Sequence, residues 1–180
     1  MPKSNADEVR AARFLSASGL TPERYPESRE PAKQKTPDFR VTGPGNTHFL
    51  CEVKSVRMDF ADGPVLHNTI FNNLIDNLRW AIKQFRSVNR IHSVPNVLLW
   101  TSHNFRVNVH TFLDLAHGKI LVAGESMADL KKFRYGLVRH EFNDIDLHIW
   151  LESDDTPHFV FNGARPDLVA QLTGAFKKWL

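Results

Sequence analysis

Asp38, Glu52 and Lys54 are the residues of this chain whose types and spacing could do chemistry together. They lie on two runs of strand-forming residues, Thr36-Pro37-Asp38-Phe39-Arg40-Val41 and Phe49-Leu50-Cys51-Glu52-Val53-Lys54-Ser55-Val56. Between the runs stands Gly43-Pro44-Gly45-Asn46-Thr47, which is turn chemistry, so the local expectation is a β-hairpin. Symmetric pairing about that loop sets Thr42 against His48, Arg40 against Leu50 and Asp38 against Glu52. Side chains alternate along a strand. One face then carries Asp38, Arg40, Thr42, His48, Leu50, Glu52 and Lys54. The other carries Phe39, Val41, Phe49, Cys51 and Val53, all apolar, and a slip of one residue would mix the two sets.

That register makes a chemical demand. Carboxylates directly opposed in a strand pair have Cβ atoms about 4.5–5.5 Å apart and destabilise each other. A hard divalent cation compensates them, because Mg²⁺ (or Mn²⁺) takes carboxylate oxygens and keeps waters that a phosphate can replace. Lys54, two residues past Glu52, places an ammonium beside the same spot. Two carboxylates, a metal and a lysine suit hydrolysis of a phosphodiester. The competing reading is an Asp38 that starts a turn and a Glu52–Lys54 pair on a solvated strand face.

Pro37-Asp38, thirteen intervening residues and Glu52-Val53-Lys54 resemble the PD-(D/E)xK motif of the restriction-endonuclease-like nuclease superfamily. The matching residues span Pro37 to Lys54, and the flanking elements extend the likeness over roughly the first 100 residues. The resemblance implies an α/β fold with an αβββαβ core and a mixed central sheet flanked by helices. Asp38 and Glu52 would be the metal ligands and Lys54 the catalytic lysine. It also implies a Gln or Lys presented from the following helix, a position matched by Gln84 or Lys83, with Gln84 preferred as the fourth catalytic residue. Helices at the place of the first one here often add an acid in such nucleases. Glu8 is that candidate, although a capping box with Asn5 already accounts for it.

Other elements must position this hairpin. A helix over 5–18, with Val9, Ala12 and Leu15 inward, is expected before it. Leu20–Tyr25 reads as a short strand. Glu23, Glu27 and Glu30 could each add an outer carboxylate, and Lys33 and Lys35 could reach phosphate. The loop of residues 57–64, with Asp59, Asp62 and Gly63, lies next to the motif. A helix over 67–88 follows, with Phe71, Leu74, Ile75, Leu78, Ile82 and Phe85 as its buried stripe. Arg79, Lys83, Arg86 and Arg90 form one exposed edge, a candidate track for a nucleic-acid backbone. Asn73, Asn77, Trp80 and Gln84 form a second edge. Asn96–Thr101 reads as a buried strand, 108–117 as a helix closed by Gly118, and 119–123 as a further strand. Ile145–Leu151, where Ile, Leu, Ile, Leu alternate with Asp, His, Trp, and His158–Phe161 read as a strand pair, and a last helix runs from Pro166 to Leu180.

The 180 residues suffice for one domain, 1–180, with a substantial core. Hydrophobic content of 42% and charged content of 24% are those of a soluble globular chain. The net charge of +3 is compatible with nucleic acid without demanding it. One cysteine excludes an internal disulfide, and the nine histidines match no zinc spacing. His48 shares the face of Glu52, so it stands as a further candidate. No apolar run approaches a membrane span and no signal-peptide pattern is present, so the expected place is cytoplasmic. The expected activity is metal-dependent nucleic-acid hydrolysis, with a DNA endonuclease first. A homodimer is compatible with cutting both strands of a duplex. The alternatives are a nucleic-acid-binding protein of the same fold without catalysis and a regulatory protein-binding module.

Overall fold

The computed structural model describes residues 6–26, 36–56, 67–103, 107–117, 119–120, 128–129 and 141–180. In chain order these form α1 (Ala6–Ala17), β1 (Thr21–Arg24), β2 (Phe39–Thr42), β3 (His48–Val56), α2 (His67–Val88), β4 (Asn96–Ser102), α3 (Val109–His117), β5 (Lys119–Ile120), β6 (Ala128–Asp129), β7 (Leu147–Leu151), β8 (Pro157–Phe161) and α4 (Pro166–Ala175). The main sheet has six strands in the order β1-β2-β3-β4-β7-β8. It is mixed: β3, β4 and β7 run parallel, and the β1-β2, β2-β3 and β7-β8 pairs are antiparallel. The first six elements follow one another as α, β, β, β, α, β.

Strand alternation divides the apolar residues into two cores, one on each side of the sheet. Phe39, Val41, Phe49, Cys51 and Val53 pack with Ala11, Phe14 and Leu15 of α1 and Leu172 of α4. Leu50, Leu98, Trp100 and Trp150 pack instead with α2 and with Phe112 of α3. All six residues of the expected α2 stripe are buried, each contributing roughly 1.5–3 kcal/mol of apolar burial. The hairpin register is the expected one, with Thr42 against His48 and Arg40 against Leu50. Its turn needs left-handed backbone at Gly45 (φ 67°) and Asn46 (φ 65°), which glycine and asparagine tolerate best.

Several expectations need correction. Val9 is exposed and Ala11 and Phe14 are buried in its place, because α1 turns Asp7, Ala11, Phe14 and Leu15 toward the sheet. β7 does not alternate between core and solvent. All five of its residues are buried, since it lies inside the sheet between β4 and β8 with a core on each face. The last helix ends at Ala175, with the chain turning over Phe176 to Trp179. Glu27, Glu30, Lys33, Lys35, Asp59, Asp62, Gly63 and Asn5 lie outside the described residues, as do Gly118 and most of 119–123. Among the described residues no helix is long and apolar enough to cross a membrane.

Candidate active site

β3 runs between β2 and β4 and carries the site. Its alternation turns Glu52 and Lys54 toward α2, while Cys51, Val53 and Ser55 face α1. Asp38 stands one residue before β2, whose ladder ends at Phe39 opposite Cys51. The next step of that register is Asp38 opposite Glu52. The Asp38 side chain anchors itself there by accepting the Val53 amide on Oδ2 at 2.8 Å.

Glu52 is 2% exposed, so this is no solvated strand face. Its Oε1 accepts a hydrogen bond from Lys54 Nζ at 2.5 Å. Its Oε2 is buried, with no hydrogen-bond partner among the described residues. The Lys54 ammonium also donates to Gln84 Oε1 at 3.1 Å, and the Gln84 amide donates to the Thr36 carbonyl at 2.9 Å. Gln84 thus ties the middle of α2 to the catalytic-lysine candidate and to the chain entering the motif. Helix α2 can hold this position because the apolar stripe beside Gln84 is locked in the core on the same face of the sheet.

Burial dominates the electrostatics. It raises the Glu52 carboxyl to about 8, against the opposing pull of the Lys54 ammonium and with the Asp38 charge adding to the rise. Asp38 is also raised, first by burial; the Val53 amide opposes the rise, the Glu8 charge adds to it, and Lys54 opposes it. Two neighbouring acids that both resist ionisation, with one oxygen left open, form a donor set that a divalent cation fits. Among the described residues no group of three or more His, Cys, Asp or Glu converges as a ligand set. Protein oxygens beyond this pair would therefore have to be replaced by water and substrate.

The other candidates fall in different places. Lys83 is exposed and its ammonium lies 5.0 Å from the Trp80 ring centroid, so of the two α2 candidates it is Gln84 that reaches the site. Arg86 is held by both oxygens of Asp144, at 2.7 and 3.3 Å, which removes it from a uniformly free basic edge. Arg79 is partly buried and Arg90 exposed. Glu8 pairs with Arg24 of β1, and Glu23 is exposed opposite Arg40. His48 sits at the turn end of the hairpin, 3.1 Å from the Asn46 carbonyl, with Leu50 between it and Glu52 along the strand.

Sequence reasoning missed Asp7. This residue is fully buried on the α1 side of the sheet, where Ser55 Oγ, Thr101 Oγ1 and His103 Nε2 all meet its carboxylate. Ser55, one residue past Lys54 and of opposite facing, was the only local sign of it. No family model matches the sequence, and comparison with curated proteins and with solved structures finds no match either.

Proposed function

We propose that this chain is a divalent-metal-dependent nuclease that hydrolyses phosphodiester bonds of nucleic acid, with DNA as substrate, on a restriction-endonuclease-like core. The observation that carries the reading is Glu52 Oε2, a buried carboxyl oxygen beside Asp38 and Lys54 that has no hydrogen-bond partner among the described residues. Leaving such an oxygen open costs folding free energy, which a structural acid would avoid. Asp38 and Glu52 would hold Mg²⁺ or Mn²⁺. When bound, the cation supplies positive charge that makes water more acidic and offsets charge on the scissile phosphate.

The chain's own groups do the rest. Lys54 Nζ donates to the attacking water or to a phosphate oxygen and steadies the charge that develops there. Gln84 Oε1 accepts from the same ammonium and fixes its direction. Glu52 enters metal binding from its protonated form at neutral pH, so binding releases a proton. Lys83 and Arg79 on α2 supply the basic contacts to the backbone, with Arg86 available only if it leaves Asp144.

The test is a nuclease assay on linear, circular and single-stranded DNA and on RNA, with Mg²⁺, Mn²⁺ or chelator. Metal-dependent cleavage supports the reading. Salt-dependent binding with no cleavage under any metal would assign the chain to the non-catalytic binding alternative.

A further inference from the structure

A second unpartnered polar atom lies away from this site, in the same row of the sheet. Glu52 pairs with Leu98, Leu98 with His148 and His148 with Val160, so His148 stands two strands beyond Glu52 and on the same face. The His148 side chain is 3% exposed, and its ring lies 4.6 Å from that of Phe112, centroid to centroid. Trp100 Nε1 donates to His148 Nδ1 at 3.3 Å. An indole nitrogen only donates, so Nδ1 is an acceptor and the ring proton of the neutral imidazole is on Nε2. Nε2 is buried and has no hydrogen-bond partner among the described residues. Burial also pulls the His148 pKa down to about 3, which keeps the ring neutral at ordinary pH.

A cavity of about 300 Å³ adjoins this ring, at the small end of ligand-sized pockets. Phe112, Phe142, Val160 and Phe161 wall it, Asn143 and Asn162 stand beside them, and among the described residues no charged side chain lines it. The Asn162 amide donates to the Phe142 carbonyl at 2.8 Å, which braces the wall from outside the sheet. The two ring nitrogens of an imidazole point in nearly opposite directions. With Nδ1 taken by Trp100 on β4, Nε2 is the ring nitrogen left for the cavity, which His148 lines together with Val160 of β8.

We propose that this cavity is a binding site for a small, uncharged, planar heteroaromatic lactam, whose carbonyl accepts the His148 Nε2 proton. Aromatic walls favour a flat ring by stacking and edge contacts. A strong, neutral acceptor suits this lining, because no described residue in it offsets a charge. The exposed Asn143 carboxamide oxygen can take the lactam N–H at the mouth. The site is independent of the nuclease reading and stands or falls separately from it.

The probes are uracil and 2-quinolone, added to protein labelled with ¹⁵N-histidine. The free protein should show the His148 proton on Nε2, and that resonance should shift saturably with at least one probe. His148→Phe keeps an aromatic of similar volume without the donor, and Val160→Phe fills the cavity from β8 while keeping His148. Each folded variant should weaken binding at least tenfold, read for His148→Phe by the ring protons of Phe112. No shift with either probe up to its solubility limit, or unchanged affinity in both variants, would overturn the assignment.

Discussion

Glu52 and Asp7 are both buried acids held against β3, one on each face of the sheet, and their surroundings differ in one decisive respect. Asp7 receives hydrogen bonds from Ser55, Thr101 and His103 on its two oxygens. Lys54 bonds Glu52 Oε1, and among the described residues Oε2 has no hydrogen-bond partner. A buried carboxylate whose oxygens are all bonded holds elements together, here α1 to the ends of β3 and β4. One that is left half-bonded adds little to the fold and is available to a ligand. By that difference Asp7 is a structural acid, and Glu52 is the acid proposed to serve a ligand.

The largest expected effect is on stability against pH in the metal-free protein. The Glu52 carboxyl sits at about 8 in the fold against its ordinary 4.5. Between those values the folded state keeps a proton that the unfolded chain has lost. Stability from this group is therefore complete below about 4.5, falls as pH rises, and is fully lost above about 8. The size is on the order of 5 kcal/mol. Glu52→Gln should remove this dependence, which denaturant titrations from pH 5 to 9 would reveal as a flatter profile.

Asp7 should behave in the opposite way. Asp7→Ala strands three donors and should lower stability by about 3 kcal/mol, read as a lower urea midpoint with an unchanged slope. Cleavage per folded molecule should stay at the wild-type level. Parallel loss of stability in the two acid variants would erase the distinction drawn here.

Lys54→Ala should separate binding from chemistry. Turnover is expected to fall on the order of a hundredfold or more while substrate affinity changes little, as when one electrostatic stabiliser is removed. Gln84→Ala, which frees the ammonium to wander, should cost less, about tenfold.

The smallest effect belongs to α2's basic edge. Replacing Lys83 with Gln should reduce the slope of log affinity against log salt by about 0.9 for duplex DNA. Arg86→Gln should reduce it by less, because Asp144 already occupies that guanidinium.

Much of the site was legible because its geometry is local. Symmetric pairing about the turn placed Thr42 opposite His48, alternation set Glu52 and Lys54 on one face, and the family resemblance pointed to Gln84, which does meet Lys54. Residues whose state depends on distant partners were not legible. Asp7 is buried by β3 and β4, far along the chain, and Arg86 is paired with Asp144, 58 residues away. His148 read as the polar side of an alternating strand, yet β8 and α3 close over it. Val9 illustrates the same limit on α1, where apolar type suggested burial and the tilt of the helix against the sheet left it in solvent.

The central claim is that Asp38 and Glu52 form a cation site while Asp7 does not. Calorimetric titration of Mn²⁺ into the wild type, Asp38→Asn, Glu52→Gln and Asp7→Asn at pH 7 tests it directly. One saturable site with proton release is expected in the wild type and in folded Asp7→Asn, and its loss in the other two. Mn²⁺ binding that survives both Asp38→Asn and Glu52→Gln would contradict the account.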